Sequence, residues 1–451
     1  MSIIIDSANV KKQVKEICNF FSKDSIDEIS KETKFVQRDS KLDGTIFLSI
    51  FTLGMTVYGK PILQELLGLI NLIIPEFEIS REGLHQRIND YAVKFFEFML
   101  SQAINISTTK IDLNLLSNFE RVLILDSTSI ELPKELSDSF RGSGGGASTS
   151  ALKIQFCFDL KLGSFFYYLQ EGISPDGKYE NSFVDKINKN DLIIKDLGYF
   201  NPKAFIELSD KGAYYLSRWK SNVGIYVKSI EGTFSVLDMK SFLSNLDSLT
   251  ELEIYIKKDN DFAKARLVID KVPEEVKNTR LRKLNKISQK KGQQTKDLTK
   301  IFQGFNVYVS NIIDLPKENF RKFYTLRWQI ELVFKNWKSN FKLEKVSGIK
   351  IQRVKCMIYS KLLMIIISTK LIYQIRNICW KEFKIEISEF KASKHFILTF
   401  QEFFKYVIHN KSQCIFNLLN QTIEFIAKKC NKIPQKDRSY PLDIIESIAL
   451  A

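Results

Sequence analysis

Residues 315–345, LPKENFRKFYTLRWQIELVFKNWKSNFKLEK, constrain this chain more than any other stretch. Pro316 stands where the first turn of a helix tolerates it, Glu318 follows where the helix dipole favours an acid, and no later Gly or Pro interrupts the run. The pattern predicts one helix of about six turns. At about 100° per residue, Tyr324, Arg327, Glu331 and Lys338 fall within a sector of roughly 60°. One face would then present a phenol, a guanidinium, a carboxylate and an ammonium, beside an apolar stripe of Phe323, Leu326, Ile330, Phe334 and Phe341 that buries against a core. An acid set between cations so close to a core is placed to hold a metal ion, and the cations to hold phosphates. Spacing alone leaves open a solvated face with ion pairs such as Arg327 with Glu331.

The chain of 451 residues is long enough for two or three domains, and a 44% hydrophobic content suffices for packed cores. Its formal charge of +15 points to a polyanionic partner, nucleic acid first, although lysine-rich codon usage would raise the same number. The six cysteines form no CxxC pair and share no zinc spacing with His85, His395 or His409, as expected of a reduced cytoplasmic protein. The amino terminus meets Asp6 after a short apolar run, unlike a signal peptide. The apolar segment 356–375 carries Lys361 and Lys370 and reads as a buried helix rather than a membrane span.

Residues 1–110 show helical periodicity at 10–21, 46–58, 62–74 and 83–103. Ser80 is placed to cap the last of these, whose start carries Arg81, His85, Gln86, Arg87 and Asn89, a pattern compatible either with a DNA-reading helix-turn-helix or with an ordinary bundle. Next, 122–125 is a buried-strand run ending at Asp126, and 192–194 is a second that ends beside Asp196. Between them lie a glycine-rich loop at 141–148 without P-loop context, a hairpin from 152–160 and 164–170, and a helix expected over 179–190. Strands are expected at 224–227, 233–236, 251–256 and 265–270, then a basic arm over 279–300 that would track a phosphate backbone. Residues 305–310 read as a core strand and 351–430 as helical.

Asp126, Asp196 and Glu331 are sufficient acids for two divalent ions of the kind that neutralise charge and activate a nucleophile in phosphodiester cleavage. At these residues the chain resembles the DDE transposases of bacterial insertion sequences, in the insertion-sequence-four group. The resemblance rests on Asp126-Ser-Thr, on Asp196-x-Gly-Tyr-Phe, and on Tyr324-x2-Arg327-x3-Glu331-x6-Lys338, and it covers the middle two-thirds of the chain. It implies an α/β, ribonuclease H-like catalytic core interrupted by a β-rich insertion, with a helical N-terminal domain and a helical C-terminal segment. The implied divisions are a DNA-binding domain over 1–110, core over 111–221, insertion over 222–303, core again over 304–375, and a helical segment over 376–451.

By the same resemblance, Asp126, Asp196 and Glu331 are the metal-binding catalytic triad for two Mg²⁺ ions, or Mn²⁺. Tyr324, Arg327, Lys335 and Lys338, with Arg218 and Lys220, would contact DNA. The implied partners are double-stranded transposon ends and target DNA, with no membrane and a homodimer in the DNA complex. The implied setting is the bacterial cytoplasm, at the nucleoid. Some relatives stack a flipped base on a Trp near the end of the insertion; here Phe302 and Phe305 are the aromatics in that region. The alternatives are an inactive DNA-binding descendant of a transposase and a nuclease that cuts without joining.

Overall fold

A computed structural model of the chain describes residues 8–38, 40–108, 119–144, 148–292, 294–433 and 442. Its ten strands are β1 (Val122–Glu131), β2 (Ala151–Asp159), β3 (Phe165–Glu171), β4 (Leu192–Lys195), β5 (Tyr214–Arg218), β6 (Tyr226–Lys228), β7 (Phe234–Val236), β8 (Thr250–Lys258), β9 (Asp261–Lys271) and β10 (Phe305–Ser310). The mixed α/β chain divides into two compact units, one drawn from residues 1–113, 127–174 and 331–440, the other from 114–126, 175–330 and 441–451.

The first unit is mainly helical. Its centre is the helix Ile351–Phe383, which packs on Asp90–Asn105, Gly44–Tyr58, Glu389–Ile408 and Ser412–Lys429. Every residue from Cys356 to Trp380 is buried, as befits a helix with no polar face. That helix is long and apolar enough to cross a membrane, yet its apolar window is wholly covered by protein. The two lysines within it are hydrogen-bonded locally. Lys370 donates to the carbonyls of Ala103 and Ile106 at 3.3 and 2.6 Å, closing the end of Asp90–Asn105, and Lys361 donates to Lys342 O at 2.7 Å and to Lys345 O. Hairpin β2–β3 also belongs to this unit, with Phe156 against Phe334 and Trp337 at 5.5 and 5.1 Å.

The second unit is built on a sheet in the order β1-β4-β5-β10-β9-β8-β6-β7. β1, β4 and β5 are parallel, and the remaining pairs are antiparallel. The run Val122-Leu-Ile-Leu is fully buried, as a strand inside a parallel sheet must be. Arg121 pins the start of this trio: its Nε donates to Asp191 Oδ1 at 3.0 Å, its guanidinium pairs again with Oδ2, and Asp191 is wholly buried.

Several expectations need correction. Residues 315–345 are not one helix. A 3-10 turn at Lys317–Asn319 leads into a helix at Phe320–Thr325, a second 3-10 turn spans Leu326–Trp328, and a helix resumes at Gln329–Asn340. The apolar stripe is nevertheless buried throughout, so burial rather than strict periodicity decides the winding here. The helix expected at 83–103 is two, Arg81–Arg87 and Asp90–Asn105, because Asn89 accepts from the amides of Tyr91 and Ala92 and starts a new cap. Ser80 does cap the first, accepting from Gly83 N at 3.0 Å. The strand at 122–125 continues past Asp126 to Glu131, with its burial turning to alternation. The helix expected at 179–190 shrinks to Glu180–Val184 after a 3-10 turn. Helices Lys23–Glu32 and Met239–Ser244 and strand β5 were not anticipated. The centre of the glycine-rich loop, residues 145–147, and the boundary placed at 110 lie outside the described residues.

Two outcomes follow from these buried charges. Replacing Arg121 with Met leaves Asp191 buried without its partner and is expected to lower the unfolding free energy by about 3–5 kcal/mol in denaturant titrations. Burial pushes the Lys361 ammonium down to about 7 from its ordinary 10.5, so above about pH 7 the folded chain has released a proton that the unfolded chain still holds. Its contribution to stability therefore rises with pH from about 7 toward 10.5. Wild type should gain stability relative to Lys361→Met between pH 6.5 and 9; a difference independent of pH would mean the ammonium stays charged in the fold.

Candidate active site

Parallel register positions the two aspartates. Leu125 aligns with Lys195 and Lys195 with Ser217, so the next position sets Asp126 on β1 level with Asp196 after β4, and Asp196 level with Arg218 on β5. Across the next strand, Tyr308 of β10 pairs with Arg218. Aligned residues share a face of the sheet, with neighbouring strands about 4.8 Å apart. One row thus carries two carboxylates, a guanidinium and a phenol.

The helical stretch that follows β10 closes over this row. The Tyr324 hydroxyl donates to Asp196 Oδ1 at 3.3 Å, and its ring lies 5.4 Å from that of Tyr308. Arg327 Nη1 stands 3.8 Å from Asp126 Oδ2, both side chains being largely buried. Burial, and then the nearby Asp196 charge, hold the Tyr324 phenol well above its usual range, so it remains a neutral donor. The 3-10 turn at Leu326–Trp328 places Arg327 over Asp126 while Leu326 stays in the core. Sequence reasoning took residues 305–310 as core alone; Tyr308 was missed because its role appears only once β10 is paired beside β5.

The remaining residues singled out from the sequence are placed as follows. Glu331 lies in the first turn of Gln329–Asn340, four residues beyond Arg327 along the same run of helical backbone, and is half-buried. Lys335 is exposed one turn later, and Lys338, half-buried, is in the last turn. Lys220 is half-buried just after β5. Phe302 and Phe305 are buried, the former edge-on to Trp219 at 5.5 Å, so neither presents a face for base stacking. In the N-terminal region Arg87 is occupied, donating to Leu42 O at 3.1 Å and covering the ring of Phe35. Among the described residues, no three His, Cys, Asp or Glu side chains stand close enough together to hold a metal ion as a preformed group. Two hard carboxylates level on adjacent strands are nonetheless the donor type that suits a hard divalent cation.

Comparison with known proteins decides the family. A family model described as a transposase DDE domain matches residues 117–367. The chain belongs to the DDE transposases. The transposase for insertion sequence element IS231B of Bacillus thuringiensis subsp. berliner is 29% identical over 96% of this chain and 94% of its own length. That for IS1151 of Clostridium perfringens is 31% identical over 86% of each. A solved piggyBac transposase synaptic complex with hairpin DNA aligns over 94% of this chain and 86% of its own at 12% identity and a TM-score of 0.46. The relatives place the chain with the insertion-sequence-four type of DNA transposase, an enzyme that cleaves DNA and transfers strands. Chemistry of this family depends on divalent metal in general.

The Tyr324 contact can be weighed directly. Tyr324→Phe keeps the ring against Tyr308 and removes one bond of 3.3 Å, so unfolding should change by no more than about 1 kcal/mol. Tyr324→Ala empties a largely buried ring site and should cost about 3 kcal/mol or more, read from the same denaturant midpoints.

Proposed function

We propose that this transposase cuts and joins DNA at the terminal inverted repeats of its own element, with Asp126, Asp196 and Glu331 as the acids that hold two Mg²⁺ ions. The observation that carries this reading is the level placement of Asp126 and Asp196 on adjacent parallel strands, each met by a residue of the Tyr324–Arg327 segment. A ribonuclease H-like core is part of the proposal, and the parallel trio β1, β4 and β5 of the second unit supports it.

Bound metal would neutralise charge building on the phosphoryl oxygens and make a water or 3′ hydroxyl a better nucleophile. The chain's own groups do the rest. Arg327, 3.8 Å from Asp126, balances the acids before a substrate arrives and can turn its guanidinium to a phosphate oxygen, for which its forked geometry suits it. Tyr324 donates to the Asp196 carboxylate while remaining protonated. Lys335 and Lys338 follow Glu331 on one helix and serve as point charges for the backbone of the bound end, with Arg218 and Lys220 on the side of β5. Arg81 and Gln86, exposed on the helix Arg81–Arg87, would read the repeat. The working form is proposed to be a dimer, each centre acting on an end partly held by the other subunit.

The test uses purified protein, Mg²⁺ and a labelled duplex bearing the repeats that flank the gene. Wild type is expected to cut at the repeat boundary. Alanine at Asp126 or Asp196, or Glu331→Gln, should slow cleavage roughly a thousandfold or more, the several kcal/mol that metal-held charge supplies, with end binding retained. Chelation should abolish cutting as well. Binding lost together with cleavage in all three variants would make the acids structural and sink the assignment.

A further inference from the structure

Beyond the two aspartates, the same sheet face carries a second charged group, of which the reading above uses only Arg218. Asp270 of β9 pairs with Asn306 of β10, two residues before Tyr308 and on its face. Asn306 Nδ2 donates to Asp270 Oδ2 at 3.3 Å, and Arg321 Nη1 approaches the same oxygen at 3.9 Å from the helix Phe320–Thr325. Arg280 reaches in from the basic helix Glu274–Lys291: its guanidinium donates to Asn306 Oδ1 at 2.8 Å and to Phe305 O at 3.2 Å. Arg218 completes the group from β5, opposite Tyr308. Its Nε is buried and makes no hydrogen bond.

Three guanidiniums therefore gather about Tyr308, with Asp270 the one carboxylate among them. Burial, together with the neighbouring charges of Arg218 and Arg321, holds Arg280 below its ordinary value, and Tyr308 feels all four charged groups. Gathering like charges in this way opposes folding unless an anion compensates them in the working state. Arg280 is partly explained as a clamp between its helix and β10. Arg321 is not, being 63% exposed with a long approach to Asp270, and neither is the unpartnered Nε of Arg218. The position is informative too. Arg218 is one strand spacing from Asp196, and the Asn306–Asp270 pair lies one to two strands further, on the order of 10 Å from the acids. At about 3.4 Å of rise per nucleotide in a strand, that is a few nucleotides.

We propose that Arg218, Arg280 and Arg321 form a seat for one backbone phosphodiester of the DNA strand, a few nucleotides from the bond cut at Asp126 and Asp196. Until the phosphate arrives Asp270 holds Arg321 directly and Arg280 through Asn306, and the basic helix Glu274–Lys291 joins the DNA interface through Arg280. The proposal rests on the cleavage centre described above and adds to it an anion site formed where the insertion meets the core strands.

A charge-neutralising scan tests it. Duplexes carrying the terminal repeat are made with a single methylphosphonate at each of the first six linkages on either side of the boundary, on each strand, and titrated with full-length wild type, Arg321→Ala, Arg280→Gln and Asp270→Asn. For wild type, one linkage inside the boundary should lose roughly tenfold or more in affinity on neutralisation. Arg321→Ala and Arg280→Gln should bind unmodified DNA more weakly, lose about one unit of salt slope, and become insensitive at that same linkage. Asp270→Asn should bind severalfold tighter at low salt, an effect opposite to that of a structural lesion. Variants that keep the wild-type salt slope and its sensitivity at every linkage would overturn the seat while wild-type binding and cleavage leave the centre standing. Wild type that neither binds nor cuts the repeat would overturn both.

Discussion

Everything at this centre depends on the parallel register of β1, β4 and β5. A parallel pair fixes which residues stand level, and a slip of one residue would turn a whole row to the opposite face. The register is secured at the other end of the strands, where Arg121 clasps the buried carboxylate of Asp191. Four buried apolar residues then separate that anchor from Asp126. The distance from anchor to acid is thus set by strand geometry, leaving little freedom for the carboxylates to drift apart.

The two kinds of charge contact in this sheet differ in a way that suits their tasks. The Arg121–Asp191 pair is doubly bonded and its carboxylate is wholly buried, so breaking it leaves a stranded charge. Arg327 meets Asp126 at 3.8 Å and Tyr324 meets Asp196 at 3.3 Å. Contacts this long are readily exchanged for a cation on the carboxylate or a phosphate on the guanidinium. The fold keeps its firm pair at the base of the strands and its yielding ones where ligands would enter.

Much of this was legible in the sequence, and the failures have identifiable causes. Asp126 and Asp196 were singled out because two short apolar runs each end at a carboxylate and a Glu set among cations follows, and parallel pairing brings the two level. The spacing of Tyr324, Arg327, Glu331 and Lys338 survived even though the helix that was meant to generate it is broken by a 3-10 turn. Residue spacing was preserved while the angular argument built on it was not. The row through Arg218 and Tyr308 was not readable at all. Its members are about 90 residues apart in β5 and β10, and no period in the chain encodes which antiparallel partner a strand will choose. Asn89 shows the opposite limit: one side chain accepting two amides divided a helix that apolar periodicity had run together.

The excess positive charge gains meaning from this arrangement. A net +15 spread evenly would only make the surface attractive to any polyanion. Here the sequence-distant cations Arg218, Arg280, Arg321 and Arg327 gather on one face of the sheet, beside acids that on their own would repel a phosphate backbone. Carboxylates able to bind a divalent cation and guanidiniums able to bind the backbone oppose each other in sign, so each reduces the desolvation penalty of the other while the site is unloaded. In the proposed working state, metal would take the place of Arg327 at the acids and a phosphate the place of Asp270 beside Arg321. Metal at the acids would therefore favour DNA binding, because it would release Arg327 for a phosphate.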